Sequence, residues 1–239
     1  MRHLVFNSKG GCGKSLIARE IIAAPFGKDI AIAEIDSLNK TQQPYTDRFK
    51  TVIELNKKEI SDLLIYLNEH DNIVIDVGAD NLSATLQTMV EYSLFDDIDK
   101  VVIPLGLGRS DSENALKTYN VISKHCDKII FAFTNFNQDE SIERQYPVFF
   151  SNVSKVVPNF TDADYVTINA SSVFHDAQHD KKLVVEMAQE IDYKSAAIAA
   201  KKEGDIDKFR DLMQLELNKR AAQILVKRCI MPAHEKIIR

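Results

Sequence analysis

Lys9-Gly10-Gly11-Cys12-Gly13-Lys14-Ser15 is the stretch of this 239-residue chain with the most chemistry in it. Glycines at three of seven positions let successive backbone N–H groups turn inward as an anion nest. Lys14 and the Ser15 hydroxyl stand where a phosphate loop places a cation for the β- and γ-phosphates and a ligand for Mg²⁺. The surroundings fit. Leu4-Val5-Phe6 is a short apolar run that predicts a buried strand, and Leu16, Ile17, Ala18, Ile21 and Ile22 recur at helical spacing. A helix beginning at about Gly13 points the positive end of its dipole into the nest.

Three further polar residues close apolar strands. Ile30–Ile35 ends at Asp36, Asn72–Ile75 at Asp76, and Lys128–Phe133 at Thr134-Asn135; Lys100–Ile103 ends at Pro104. Helical patterns fill the gaps at about 57–69, 82–94 and 111–125. Strands alternating with helices predict an α/β fold, a mostly parallel twisted sheet flanked by helices in three layers, with ligands at the carboxyl ends of its strands. The phosphate loop, Asp36, Asp76 and Asn135 all fall at those ends. Asp76, on a buried strand about sixty residues after the loop, has the placement of a Mg²⁺-shell carboxylate, and Gly78 behind it allows close backbone approach to a γ-phosphate. Asp36 also reads as a cap for a following helix, and Asn135 as a turn residue before Asn137-Gln138-Asp139.

The loop departs from the common phosphate-loop pattern, whose first glycine falls at Ser8. Lys-Gly-Gly-x-x-Lys-Ser, with the extra Lys9, resembles the deviant loop of the ParA/MinD superfamily of dimerising P-loop ATPases, and the likeness extends over about residues 1–178. The resemblance implies ATP and Mg²⁺ as cofactors and the P-loop NTPase fold. It implies nucleotide contacts from Gly10, Gly11, Cys12, Gly13, Lys14, Ser15, Leu16 and Gly78, and metal contacts from Ser15, Asp36 and Asp76. Lys9 would reach the nucleotide of a partner subunit, so that Lys9, Lys14 and Asp36 form the catalytic set, Asp36 positioning the attacking water. Asn135 would contact adenine, joined by Asn169 at the end of Asp164–Asn169, which resembles the family's last strand. No guanine signature occurs. Glu34-Ile35-Asp36 matches the family's paired acids, while Ser37-Leu38 stand where it has Pro-Gln. Asp76-Val77-Gly78-Ala79-Asp80 looks most like plasmid-borne relatives in stability and conjugation operons.

Composition narrows the field. Hydrophobic residues make up 45% and charged residues 27%, which suffices for a core, and the net charge of −5 argues against a uniformly nucleic-acid-coating surface while leaving room for a basic patch. No apolar run approaches the roughly eighteen residues of a membrane span. With strand residues beginning almost at Met1, neither a leader nor a preceding helix-turn-helix is expected, so an adapter protein would read any centromere-like DNA. Cys12, Cys126 and Cys229 are too scattered for a zinc site and read as reduced cytoplasmic thiols, with Cys12 sensitive to alkylation from its place in the loop. His175 and His179 read as a surface pair.

Past about Lys181 only helices are expected, at 181–202 and 205–230, with Gly204-Asp205 as a break and Pro232 as a stop. Phe209, Leu212, Met213, Leu217, Ile224 and Leu225 would form an apolar face against the sheet. The whole chain is expected to be one domain, with residues 1–178 as nucleotide-binding core and 179–239 as a helical extension. Acids precede bases along the tail, from Asp205 to Arg239; that order complements a helix dipole, and the basic end also suits DNA phosphate or an anionic membrane.

The expected function is a slow, partner-stimulated ATPase of plasmid partition or stability, a homodimer when ATP-bound. It would bind DNA non-specifically, associate with the nucleoid and answer to a centromere-binding adapter. The alternatives are a MinD-like membrane-positioning ATPase, for which the tail is a poor anchor, a conjugation-accessory ATPase, and a metabolic relative such as a carboxylate-activating synthetase.

Overall fold

The computed structural model describes residues 1–36, 40–56 and 58–239. Two compact units make up the chain, residues 1–170 with 233–239, and residues 171–232.

The first unit is built on a seven-stranded sheet: β1 (Arg2–Val5), β2 (Ala31–Ile35), β3 (Thr51–Leu55), β4 (Ile73–Val77), β5 (Lys100–Leu105), β6 (Ile129–Phe136) and β7 (Tyr165–Asn169). Their order is β3-β2-β4-β1-β5-β6-β7, and every pairing is parallel. Six of these strands were expected from apolar runs. β3 was not, because Thr51-Val52-Ile53-Glu54-Leu55 alternates like an edge strand, and only Ile53 and Leu55 are buried.

Alternation along the strands sorts the polar residues. Leu4 and Phe6 of the β1 segment, Ala31, Ala33 and Ile35 of β2, and Ile73, Ile75 and Val77 of β4 all enter the main apolar core. Residues one step out of phase, Glu34 and Asp76 among them, therefore point to the opposite face. Helix α1 (residues 14–23), with α turns over Lys14–Leu16 and π turns over Ile17–Ala23, packs against β2 and β4. The register Glu34↔Asp76 then sets two carboxylates side by side near the first turn of α1. Helices α2 (Leu63–Glu69), α3 (Leu82–Glu91) and α4 (Arg109–Ile122), and two short helices, α5 (Ile142–Gln145) and α6 (Pro147–Phe150), follow in turn.

The second unit is helical: α7 (Ser172–His179), α8 (Val184–Ala188), α9 (Tyr193–Lys202) and α10 from Ile206. The single helix expected over 181–202 is broken at Gln189–Asp192, where Asp192 caps α9 through the Lys194 amide at 3.0 Å. Pro232 does not end the last helix, which runs 33 residues to Ile238. A π segment, Val226–Ile230, precedes the proline and relaxes the i−4 register with which its ring would collide. The expected apolar face is also only partial. Leu225 is buried, but Leu217 and Ile224 are more than half exposed, and α10 packs on α8 and α9 in its own unit. His175 and His179 lie on the surface of α7, each beside an aspartate.

Candidate functional site

The loop after β1 begins with a buried residue that no motif predicts. Asn7 donates to the Pro104 carbonyl at 2.5 Å and accepts from the Lys9 amide at 3.1 Å, fixing where the loop leaves the sheet. Gly11 and Gly13 then take φ of +76° and +92°. A Cβ at Gly13 would also lie 3.0 Å from Cγ2 of Thr134, whose hydroxyl donates to the carbonyls of Cys12 and Leu105. Beside Gly10 and Gly11 the space is open, as a phosphate would require. Lys14, 7% exposed, donates to the Lys9 carbonyl at 2.8 Å.

A cavity of about 480 Å³ opens over the loop. Gly10, Gly11, Gly13, Lys14, Ser15, Leu16, Asp36, Asp76 and Gly78 line it, joined by Thr41, Ala79 and Asp80, which sequence reasoning had not assigned. Ser37 and Leu38 lie outside the described residues. Asn135 and Asn169 are not among the lining residues. Asn135 is the penultimate residue of β6, exposed with φ of +64° at an irregularity in the β6–β7 pairing, and Asn169 ends β7.

Asp76 is buried, hydrogen-bonded to the Ser15 side chain, and accepts from Gln42 Nε2 at 3.0 Å. Burial holds its carboxyl above the ordinary carboxylate range and Asp36 adds to this; Ser15, Gln42 and Lys14 act in the opposite direction. Glu34 is likewise raised, first by burial and also by Asp76, against the hydrogen bonds it accepts from Thr41 and Gln42. The Gly78 amide donates to the Ile35 carbonyl at 2.8 Å. A Cβ on Gly78 would stand 2.8 Å from Asp36 Oδ2 and 3.0 Å from Asp80 Oδ1, so two carboxylates crowd this glycine.

Lys9 sits outside the cavity wall. Its ammonium is 2.5 Å from Asp111 in the first turn of α4, and Asp111 also accepts from the Gly108 amide at 3.3 Å. Asp111 reaches back because Gly106 and Gly108 lack side chains; a Cβ on either would approach its Oδ2 to 2.8 or 3.0 Å. No local spacing connects Lys9 to Asp111. Cys12 corrects an expectation. It is 2% exposed with its thiol pushed up by burial, so it lacks the accessible thiolate that alkylation needs.

Among the described residues, no group of three His, Cys, Asp or Glu is arranged to hold a metal alone. Mg²⁺ does not require one: it keeps several waters and is held by one or two carboxylates with substrate phosphates. The oxygen donors of Ser15, Asp76 and Asp36 line the same cavity as the open amide nest, and together they fit that ion and a polyphosphate. No helix among the described residues is long and apolar enough to cross a membrane.

No family model matches the sequence, and no curated protein sequence matches it. Solved structures do match. Apo McdA of Cyanothece superposes with a TM-score of 0.55 at 11% identity, over 90% of this chain and 98% of that one. MinD of Pyrococcus horikoshii, complexed with Mg-ADP, gives 0.52 at 13% identity, over 92% and 96%. A Borrelia burgdorferi protein described as a plasmid partition protein, bound to AMPPNP, gives 0.50 at 13%, over 91% and 98%. The structural neighbours of this chain are thus MinD- and ParA-family ATPases, and what it shares with them is the α/β P-loop NTPase-like fold.

Proposed function

We propose that this chain is a P-loop ATPase of the ParA/MinD type that binds ATP with Mg²⁺, dimerises in that state, and serves plasmid partition or stability. The observation that carries the reading is the convergence on one cavity of the amide nest, Lys14, the Ser15–Asp76 pair and Asp36. The Mg-ADP and AMPPNP in neighbouring structures support the same ligand class.

In this reading Gly10, Gly11 and Gly13 bring backbone amides to the phosphates, and Lys14 exchanges the Lys9 carbonyl for phosphate oxygens. Ser15, Asp76 and Asp36 would hold Mg²⁺. The ion, when bound, neutralises charge on the β- and γ-phosphates. Asp36, at the cavity wall, orients water for attack, and placement and charge do most of the work in such transfers. Asn135 and Asn169 are proposed base contacts beyond the cavity. Lys9 is proposed to leave Asp111 and engage the partner subunit's nucleotide.

The ATP-bound dimer is proposed to bind DNA non-specifically, in a nucleoid-associated cytoplasmic protein, until a centromere-binding adapter stimulates hydrolysis. In a groove on α10 Glu216 pairs with Lys219 and Arg220, and the further cations Lys227 and Arg228 support a phosphate-binding surface. The same groove holds Ile224, 56% exposed, which favours a MinD-like lipid-binding reading. A gel shift on random-sequence DNA with ATP, ADP or no nucleotide tests the proposal, and the expected result is retention with ATP alone. Binding indifferent to nucleotide, or ATP-dependent co-sedimentation with anionic liposomes and not with DNA, would overturn the partition role.

A further inference from the structure

One buried residue joins two residues of the cavity wall to Glu34. Gln42 is wholly buried. Its Nε2 donates to Asp76 Oδ2 at 3.0 Å and to the Ser15 carbonyl at 3.2 Å. Its backbone amide donates to Glu34 Oε2 at 3.1 Å. Thr41 gives Glu34 Oε1 its amide at 2.8 Å and its hydroxyl at 2.5 Å. Glu34 of β2 thereby holds Thr41 and Gln42, and Gln42 links them to the Ser15 carbonyl in the first turn of α1 and to Asp76.

The orientation of this amide is fixed. Flipping it would turn an oxygen onto a carboxylate and a carbonyl at once. The consequence is that Oε1 is buried with no hydrogen-bond partner. A buried orphan acceptor works against stability, and an apolar side chain of equal size would avoid it. Gln42 therefore has no justification in packing. A donor that can reach Asp76 is what the position requires.

We propose that Gln42 is a positioning residue for the Mg²⁺ site, setting the Asp76 carboxylate beside Ser15 and tying it, through Glu34, to the end of β2 that Asp36 follows. Cation binding and the placement of Asp36 are then coupled through one side chain. This rests on the ATP·Mg²⁺ reading above.

The test uses the full chain, with Gln42→Met to remove the donor at constant size and Gln42→Asn to withdraw it by one methylene. A fluorescent ATP analogue is titrated in EDTA and then across Mg²⁺ concentrations, alongside melting curves. Both variants should bind the analogue in EDTA as the wild type does. Each should need at least about tenfold more Mg²⁺ for half-maximal tightening, the scale of one hydrogen bond to a charged group. Asp36→Asn should shift the Mg²⁺ midpoint in the wild type and much less in Gln42→Met, a non-additivity that marks coupling. A Mg²⁺ midpoint within about threefold of wild type in either folded variant overturns the inference, whatever the melting temperature does. If the wild type does not bind the analogue, the nucleotide reading has failed instead.

Discussion

Freeing Lys9 from Asp111 should tighten the proposed ATP-bound dimer. The Lys9 side chain is 34% exposed and Asp111 13%, with 2.5 Å between ammonium and carboxylate. This is more sheltered than the exposed ion pairs that contribute about 0–1 kcal/mol. A hydrogen bond between charged groups so placed contributes about 1.5 kcal/mol net. A dimer that uses Lys9 from both subunits breaks two such pairs, so the resting contact opposes dimerisation by about 3 kcal/mol. Asp111→Asn removes the charge and keeps an oxygen for the Gly108 amide, which spares the cap of α4. The dimer dissociation constant should then fall roughly a hundredfold. Sedimentation equilibrium with a non-hydrolysable ATP analogue measures it, and adding Lys9→Ala to Asp111→Asn should abolish the gain. An Asp111→Asn dimer no tighter than wild type, or one that stays tight without Lys9, would refute the argument that this pair competes with the cross-subunit contact.

Gly78→Ala puts a methyl group 2.8 Å from Asp36 Oδ2 and 3.0 Å from Asp80 Oδ1. Carboxylate ends can swing away, so stability should fall by less than about 1 kcal/mol while ATP turnover drops at least about tenfold; unchanged turnover in a steady-state assay would mean Asp36 is not placed for the reaction. Asp76 and Glu34 are both raised by burial, so folding of the cation-free protein favours their protonated forms. Their contribution to stability is present at low pH and lost as pH rises through the folded values, and Mg²⁺, which needs Asp76 ionised, should bind more weakly on acidification. His3, buried and depressed to about 4, acts in the opposite direction at acid pH, so the difference between melting temperatures with and without Mg²⁺·nucleotide is the quantity to follow; it should shrink on acidification, and a difference independent of pH would contradict the assignment. Cys12, Cys126 and Cys229 are all buried, and burial raises the thiols of Cys12 and Cys126. A disulfide reagent should therefore label the native protein at least about tenfold more slowly than the unfolded chain, and rapid labelling of Cys12 alone, blocked by ATP, would show the loop opening.

The fold and the cavity differ in how much of each was legible in sequence. Residues expected to meet a ligand directly announce themselves locally, because the nest needs its glycines, Lys14 and Ser15 at fixed spacing, and a buried strand that ends in an acid is visible as Val74-Ile75-Asp76. Residues that hold those residues in place leave no such trace. Thr134 braces Gly13 from another strand, Asp111 takes Lys9 from the start of α4, and Gln42 reaches Asp76 across a helix turn. Each is an ordinary polar residue until the sheet order brings it near. One signal did exist: Glu34-Ile35 and Asp76-Val77 end their strands with the same acid–apolar step, and strands that both adjoin the phosphate-loop face in parallel register must set those acids side by side. Two buried carboxylates so placed repel unless donors come between them and a cation balances them. Thr41 and Gln42 supply the donors, and Lys14 supplies one positive charge beside Asp76. With Asp36 and Asp80 facing the same cavity, that single lysine leaves an excess of negative charge on its wall. The wall is therefore built for a cation that the chain does not itself provide.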